Sequence, residues 1–359
     1  MKSYNFIPLL YLRDGNLLAY KYSYLYVINP KTFVVKIRIR LSLGWKEKYL
    51  SRINIIYRIL RLGIRNAVQI DADTVLLFVN KRFYEFNLRI SKLIPGFAPN
   101  HGVRALNVTK VKDIPGFDDC ILFGAYFSPF LKREVPIFRR VDAQTWTTAY
   151  TFAVGEVNHI HNIIPDATNR CLWILAGDFD QAAAIWMARD NFRTVERIIS
   201  GSQDSRACVA FPMDGRLVYA TDSPFSTDSI RVLEHVDGNW QSRQVTEIAG
   251  SCIYGCRLGS DLVFSTTVEP DGRKVCRFSI LSCQRGAGIR DQFSHLYIGN
   301  LTDGFRDIYQ AEKDNFPYPL CQFGTLQFPA GYNPTDSLLV YHMATKQHDG
   351  KTVVINTKQ

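Results

Sequence analysis

No stretch of the 359-residue chain approaches eighteen consecutive apolar residues, so the sequence offers no candidate transmembrane helix. The N-terminal run Met1-Lys-Ser-Tyr-Asn-Phe-Ile-Pro-Leu-Leu-Tyr-Leu-Arg-Asp14 meets charge before a signal-peptide pattern is complete. A cytoplasmic protein is expected. Metal-knuckle spacing is missing too: among eight cysteines the closest pair is Cys252 and Cys256, and no second pair has ligand spacing. Cys171, Cys208, Cys252 and Cys276 instead sit in apolar strand-like runs, where a reduced thiol behaves as a small hydrophobe. No His-Glu-x-x-His, P-loop or Gly-x-Ser-x-Gly signature supports those chemistries. Low-complexity tracts are also absent, and 47% hydrophobic with 13% aromatic residues gives ample material for a core.

Acid is scarce in one place. Between Lys31 and Arg65 ten Lys or Arg stand against the single acid Glu47, a local excess of nine within a formal charge of +10 for the whole chain. A general polyanion-binding surface is therefore not implied, and without an RNA- or DNA-binding motif nucleic acid is not an expected partner.

What is present is all-β texture: short β-branched and aromatic runs separated by Asp-Gly, Asn-Pro and Pro-Asp-Gly turns. Strands are expected at 6–12, 17–22, 24–28 and 33–39. Residues 45–62 break the pattern, because Trp45, Tyr49, Ile53, Ile56, Tyr57 and Leu60 recur at three-and-four spacing. One amphipathic helix is expected there, packed on the β-body by its apolar face with its basic face solvated. The sharper reading is peripheral contact with an anionic membrane, which would place the protein at the inner membrane.

A repeat aligns on one strand. Leu172-Trp-Ile-Leu-Ala-Gly-Asp178, Leu217-Val-Tyr-Ala-Thr-Asp222 and Leu262-Val-Phe-Ser-Thr-Thr267 end in register, and weaker copies begin at Leu17, Val75, Ile121 and Leu338. Seven copies, about 45 residues apart except for longer gaps after the first and before the last, predict a seven-bladed β-propeller of four-stranded antiparallel blades, a single domain spanning 1–359. The helix at 45–62 and a loop at 286–319 are expected as insertions. The last blade is short of strands and could borrow one from the N-terminus.

Asp142-Ala-Gln-Thr-Trp146 resembles a degenerate Asp-box of the sialidase-like BNR-repeat propellers, one residue short between Asp and Trp and without the usual glycine. The combination of His-x-His, Gly-Asp-x-Asp and Val-Glu-Pro across most of 115–335 is similar to uncharacterised BNR-like propellers of bacterial surface-polysaccharide loci. That resemblance implies a carbohydrate context. The sialidase catalytic set does not carry over residue by residue.

The densest chemistry lies in the hairpin from His159 to Asp180. With its turn near Ala167 and Thr168, His159 falls across from about Ala176, so Asp178 and Asp180 emerge beside His159 and His161. In a propeller the start of each inner strand and the end of each second strand open on one face. The repeat register therefore gathers His159, His161, Arg206 and Tyr254 with Tyr126, Arg133, Glu134, Asp178, Asp180, Asp222, Glu269 and His342. Plainer roles exist for several: Asp178 and Asp222 could cap loop amides, Arg206 could pair with Asp222, and Arg133 with Glu134 could be a solvated pair.

Such a group suits a carbohydrate-active enzyme. A glycoside hydrolase would draw its two carboxyls from Glu134, Asp180 and Glu269, with His159 and His161 polarising the sugar and Arg133 and Arg206 holding an anionic substituent. Its substrate would be a bacterial surface polysaccharide or the lipid-linked precursor. A polysaccharide lyase would instead use His159, His161, Tyr254 and Arg206. A non-catalytic propeller that binds glycan or protein is the alternative from another class. The two histidines also suit a divalent cation, the one cofactor the pattern suggests, provided a carboxylate such as Asp178 or Asp180 completes its shell.

Overall fold

A computed structural model of the chain describes residues 1–100, 102–127, 132–270 and 279–357. Cys276 lies outside the described residues. Strands follow one another through seven antiparallel sheets, with residues 7–40, 64–95, 104–152, 159–200, 207–248, 252–312 and 325–356 supplying blades one to seven. Six sheets have four strands. In blade three the innermost position is shared by Arg104–Ala105 and Thr109–Val111, both paired to Cys120–Tyr126. The chain is a seven-bladed β-propeller. Among the described residues no helix is long and apolar enough to cross a membrane.

All seven repeat copies fall on the second strand of their blades. Cys171–Gly177, Arg216–Thr221 and Asp261–Thr266 stop one residue before Asp178, Asp222 and Thr267, so those three positions are equivalent. Two compact units can be distinguished, one formed by 1–72, 223–227 and 248–359, the other by 73–222 and 228–247. In the second unit, apolar faces of blades four and five meet through Trp173, Leu175, Ile185, Met187, Tyr219 and Leu233. In the first unit, Leu258, Leu296 and Ile298 pack with Leu326, Leu338 and Val340 of blade seven.

The N-terminus does supply the missing strand. Ser3–Tyr4 pairs with Thr352 and Val353, and Val354 N donates to Lys2 O at 3.0 Å. Tyr4 stacks on Phe33 at 4.0 Å between ring centroids, which ties this outermost strand to blade one.

Two expectations need correction. Residues 286–319 are not a loop insertion, since Phe293–Asn300 and Gly304–Glu312 are the third and fourth strands of blade six. Nor is 45–62 one helix: it breaks into Trp45–Tyr49, a 3-10 turn at Leu50–Arg52, and Asn54–Ile59. Its polarity is reversed in part as well: Tyr57 packs inward with Leu62, Tyr341 and Met343 as an apolar face should, but other residues do the opposite. Glu47 and Arg58 point inward, while Trp45, Tyr49, Ile53 and Leu60 are exposed.

The Asp142–Trp146 stretch forms the tight turn between the third and fourth strands of blade three. Asp142 Oδ1 accepts from the amides of Gln144 and Thr145 at 2.8 and 2.9 Å, and these bonds hold its carboxyl below the usual range. Asn29, Asn87 and Asn300 take the same two-amide role at the same point of blades one, two and six.

Candidate functional site

The site lies in the second unit, where blades four and five present their inner strands. His159–Asp166 pairs with Cys171–Gly177 so that His159 faces Gly177 and Ile160 faces Ala176, one residue from the expected register. A bulge between Ile160 and Asn162 leaves His161 unpaired in the ladder, and an equivalent bulge in blade five leaves Cys208 so. Bulges re-aim the extra side chain. Here His161 turns back over Gly177, where a Cβ would come within 2.5 Å of its ring.

Both imidazoles are fixed from behind. His159 Nδ1 donates to Phe127 O at 2.9 Å, and His161 Nδ1 donates to Ala207 O at 2.9 Å, because a carbonyl can only accept. A neutral ring that carries its proton on Nδ1 has a bare lone pair on Nε2. The two Nε2 atoms lie 3.0 Å apart, and Asp178 completes a triangle with Oδ1 at 3.2 Å from His161 and Oδ2 at 3.4 Å from His159. Three acceptors therefore converge, a repulsive arrangement unless a proton or a cation lies among them. Donors of a tetrahedral shell with bonds of 2.0–2.1 Å are about 3.3 Å apart, so the triangle has the dimensions of one face of such a shell.

Asp178 is positioned by its neighbours on both sides. Its amide donates to Asn158 Oδ1 at 2.8 Å, and its carbonyl accepts from Gln203 Nε2 at 3.0 Å. Burial by itself would raise its carboxyl, but the Arg206 guanidinium beside it works the other way, and the group is held well below the usual carboxylate range. Burial pushes His159 below its ordinary value, with Asp178 opposing.

Arg206 joins two carboxylates. Its Nη2 is 3.2 Å from Asp178 and 3.5 Å from Asp222. Asp222 Oδ2 also accepts from Cys208 Sγ at 3.1 Å, and burial, reinforced by Asp222, pushes that thiol well above its ordinary value. A protonated thiol is a hydrogen-bond donor rather than a metal ligand. Of the two His/Cys/Asp groupings in this region, His159, His161 and Asp178 are therefore the better cation holders. Tyr126 closes one side with its ring 4.2 Å from that of His159, and burial, aided by Asp178, raises its phenol.

Six expected residues thus come together: Tyr126, His159, His161, Asp178, Arg206 and Asp222. Arg133 reaches the border, its guanidinium 3.7 Å above the Phe127 ring, whereas Glu134 is exposed. Asp180 does not join the histidines, because the chain turns into a 3-10 segment at Asp180–Ala182 and leaves it exposed.

Tyr254, Glu269 and His342 belong to the first unit. Tyr254 is half-buried on Cys252–Leu258, and Glu269 is buried just after Asp261–Thr266. His342 is a core residue of blade seven, fully buried between Tyr309 Oη at 3.5 Å and Thr345 Oγ1 at 3.4 Å, not a residue poised for substrate. Asn158, Gly177 and Cys208 were missed. Their signals were faint: Asn158 and Gly177 border residues already chosen, and Cys208 has the bulge position that His161 has one blade earlier.

No protein-family model matches the chain, and no curated protein sequence matches it. Solved structures do. The Cps50 (Swd1) β-propeller domain of Myceliophteria thermophila is similar over 100% of this chain and 98% of its own, with TM-score 0.55 and 10% identity. The AfRom2 CNH domain matches 98% of this chain and 93% of its own, with TM-score 0.55 and 8% identity. A chain of the mitotic checkpoint complex gives TM-score 0.54 at 7% identity, covering 100% and 93%. At such identities the likeness is one of fold alone.

Proposed function

We propose that the chain is a carbohydrate-active propeller whose centre is a divalent cation held by His159, His161 and Asp178, with Arg206 placed against an acidic substituent of the sugar. The observation that carries this reading is the convergence of two carbonyl-fixed imidazole lone pairs and one carboxylate at 3.0, 3.2 and 3.4 Å. Two carboxylates and one guanidinium leave a formal charge of −1, which a divalent ion turns to +1. One anionic group on a ligand would balance it. The carbohydrate context rests on the resemblance carried by Asp142–Trp146, His-x-His, Gly-Asp-x-Asp and Val-Glu-Pro.

Within that class, elimination beside a uronate fits the residues better than hydrolysis by a carboxyl pair. Hydrolysis needs one carboxyl that stays protonated near neutral pH. Asp178 is held well below the usual range, and exposed Glu134 and Asp180 have no partner role in the cluster. Elimination instead requires that charge building up on the uronate carboxylate be offset, which Arg206 and the bound ion would do. Water on the bound ion would supply the base that takes the proton beside the carboxylate, and the Tyr126 phenol, which burial keeps protonated, would give a proton to the departing oxygen and recover one from that water.

The test is product release from uronate-bearing and matched neutral oligosaccharides, with and without chelator, followed by mass spectrometry. Release from the acidic series alone, lost on chelation and in Asp178→Asn, is expected. Equal turnover of neutral sugars, or activity untouched by chelator, would overturn the reading.

A further inference from the structure

We infer that the surface formed by residues 34–61 is an anionic-lipid docking face, on which Trp45, Tyr49, Ile53 and Leu60 enter the interface while the basic residues around them meet lipid headgroups. The inference is independent of the site chemistry and concerns the first unit only.

Its starting point is the mixed polarity of the helical segment, in which Tyr57 packs into the core but four other apolar residues do not. Ordinarily such a segment packs by its apolar stripe and shows its charges to water. Here Glu47 is fully buried, accepting from Tyr20 Oη at 2.8 Å and from Gly63 N at 2.9 Å. Arg58 is equally deep, donating to Cys321 O at 2.7 Å and pairing with Asp314 at 2.5 Å and Asp349 at 3.0 Å. Those inward charges clamp the segment in place. Trp45, Tyr49, Ile53 and Leu60 are left 62%, 54%, 51% and 44% exposed. Apolar exposure of this kind marks an interaction surface.

The neighbouring charges decide the partner. Of the ten cations between Lys31 and Arg65 only Arg58 is buried; eight of the others are exposed and Lys48 is partly buried, while the one acid of the stretch is hidden. The outward face thus carries cations and no anion. Cations and aromatics are interleaved: Lys48 Nζ lies 4.6 Å from the Tyr49 ring, and Arg38 lies 4.2 Å from that of Tyr24. Lys48 foremost, then Arg40 of the adjoining strand and Arg52, lowers the exposed Tyr49 phenol, so strand Val35–Arg40 and the helical segment share one field. That strand adds exposed Val35 and Ile37.

An all-cationic rim around Trp and Tyr complements an anionic bilayer, since aromatic rings favour the headgroup level and each nearby Lys or Arg adds electrostatic attraction. A protein partner would have to be wholly acidic opposite this rim and apolar at its centre. The membrane meets both demands with one chemistry.

Co-sedimentation of the full chain with vesicles of phosphatidylcholine, with or without phosphatidylglycerol, tests it at low and high salt. Binding to the anionic vesicles only, weakened by salt, is expected. K46Q/K48Q/R52Q/R61Q should lose at least roughly tenfold in affinity, given the attraction contributed by each basic residue. W45A/Y49A should lose the part that persists in high salt. Both sets alter exposed or half-exposed residues, and an unchanged thermal transition confirms that each variant folds. No sedimentation of wild type, equal binding to neutral vesicles, or equal binding by wild type and the basic variant would overturn the inference, the first returning this face to a protein partner.

Discussion

Gly177 shows how much of the site depends on a residue without a side chain. A Cβ there would meet the His161 ring at 2.5 Å, and the ring cannot retreat while Nδ1 is bound to Ala207 O. Gly177→Ala should therefore weaken cation binding at least tenfold, a loss of about 1.4 kcal/mol, although every ligand remains. Calorimetric titration of the chelated protein with a divalent ion reads this, and unchanged affinity would contradict it. His342 offers a test of a different kind. Burial, and next the proximity of His348, pushes it down to about 4. Above its unfolded value of about 6.5 both states are neutral and stability is unaffected. As pH falls, the unfolded chain takes up a proton that the folded chain refuses until about pH 4, so up to roughly 3 kcal/mol of stability is lost across that window. Thermal unfolding from pH 7 to 4 should show a shallower decline for His342→Gln than for wild type. Parallel curves would show that His342 does not carry this effect.

Among elements, the helical segment and the second strands stand at opposite ends of legibility. Each second strand is a local apolar run closed by a fixed turn, so its seven copies could be read directly from the chain. The segment at 45–62 has a helical period too, but which face turns inward is decided by Tyr20, Asp314 and Asp349, and no local window contains them. Glu47 and Arg58 find partners there, and of the apolar stripe Tyr57 goes in while Trp45, Tyr49, Ile53 and Leu60 stay outside. The bulge that re-aims His161 is similarly invisible, because period-two alternation already puts His159 and His161 on one face without it. The Asx turns at Asn29, Asn87, Asp142 and Asn300 share one geometry, yet only Asp142 stands in a sequence that resembles an Asp-box. Arg58→Met should cost about 3 kcal/mol or more in denaturant unfolding, because it strips a buried partner from two carboxylates. Adding Asp349→Asn should restore part of that loss. A neutral Arg58→Met would mean the clamp contributes nothing.

At the scale of the molecule, the propeller's last blade depends on its first residues. Removing residues 1–5 deletes the pairing of Ser3 and Tyr4 with Val353 and Thr352 and the stack of Tyr4 on Phe33. It also bares the edge of Thr352–Asn356, so roughly 3 kcal/mol of stability should go and self-association through that edge should rise. Gel filtration and denaturant titration read the two effects, and a monomer of unchanged stability would contradict both. The same fold brings residues from blades three, four and five to one place, and there the central claim can be tested directly. Elemental analysis and calorimetric titration of the chelated full chain should find one divalent ion per chain, with binding abolished in His161→Ala and Asp178→Asn variants that retain their thermal transition. A wild-type chain that takes up no ion, or variants that bind as tightly as wild type, would contradict it and leave a shared proton between His159, His161 and Asp178.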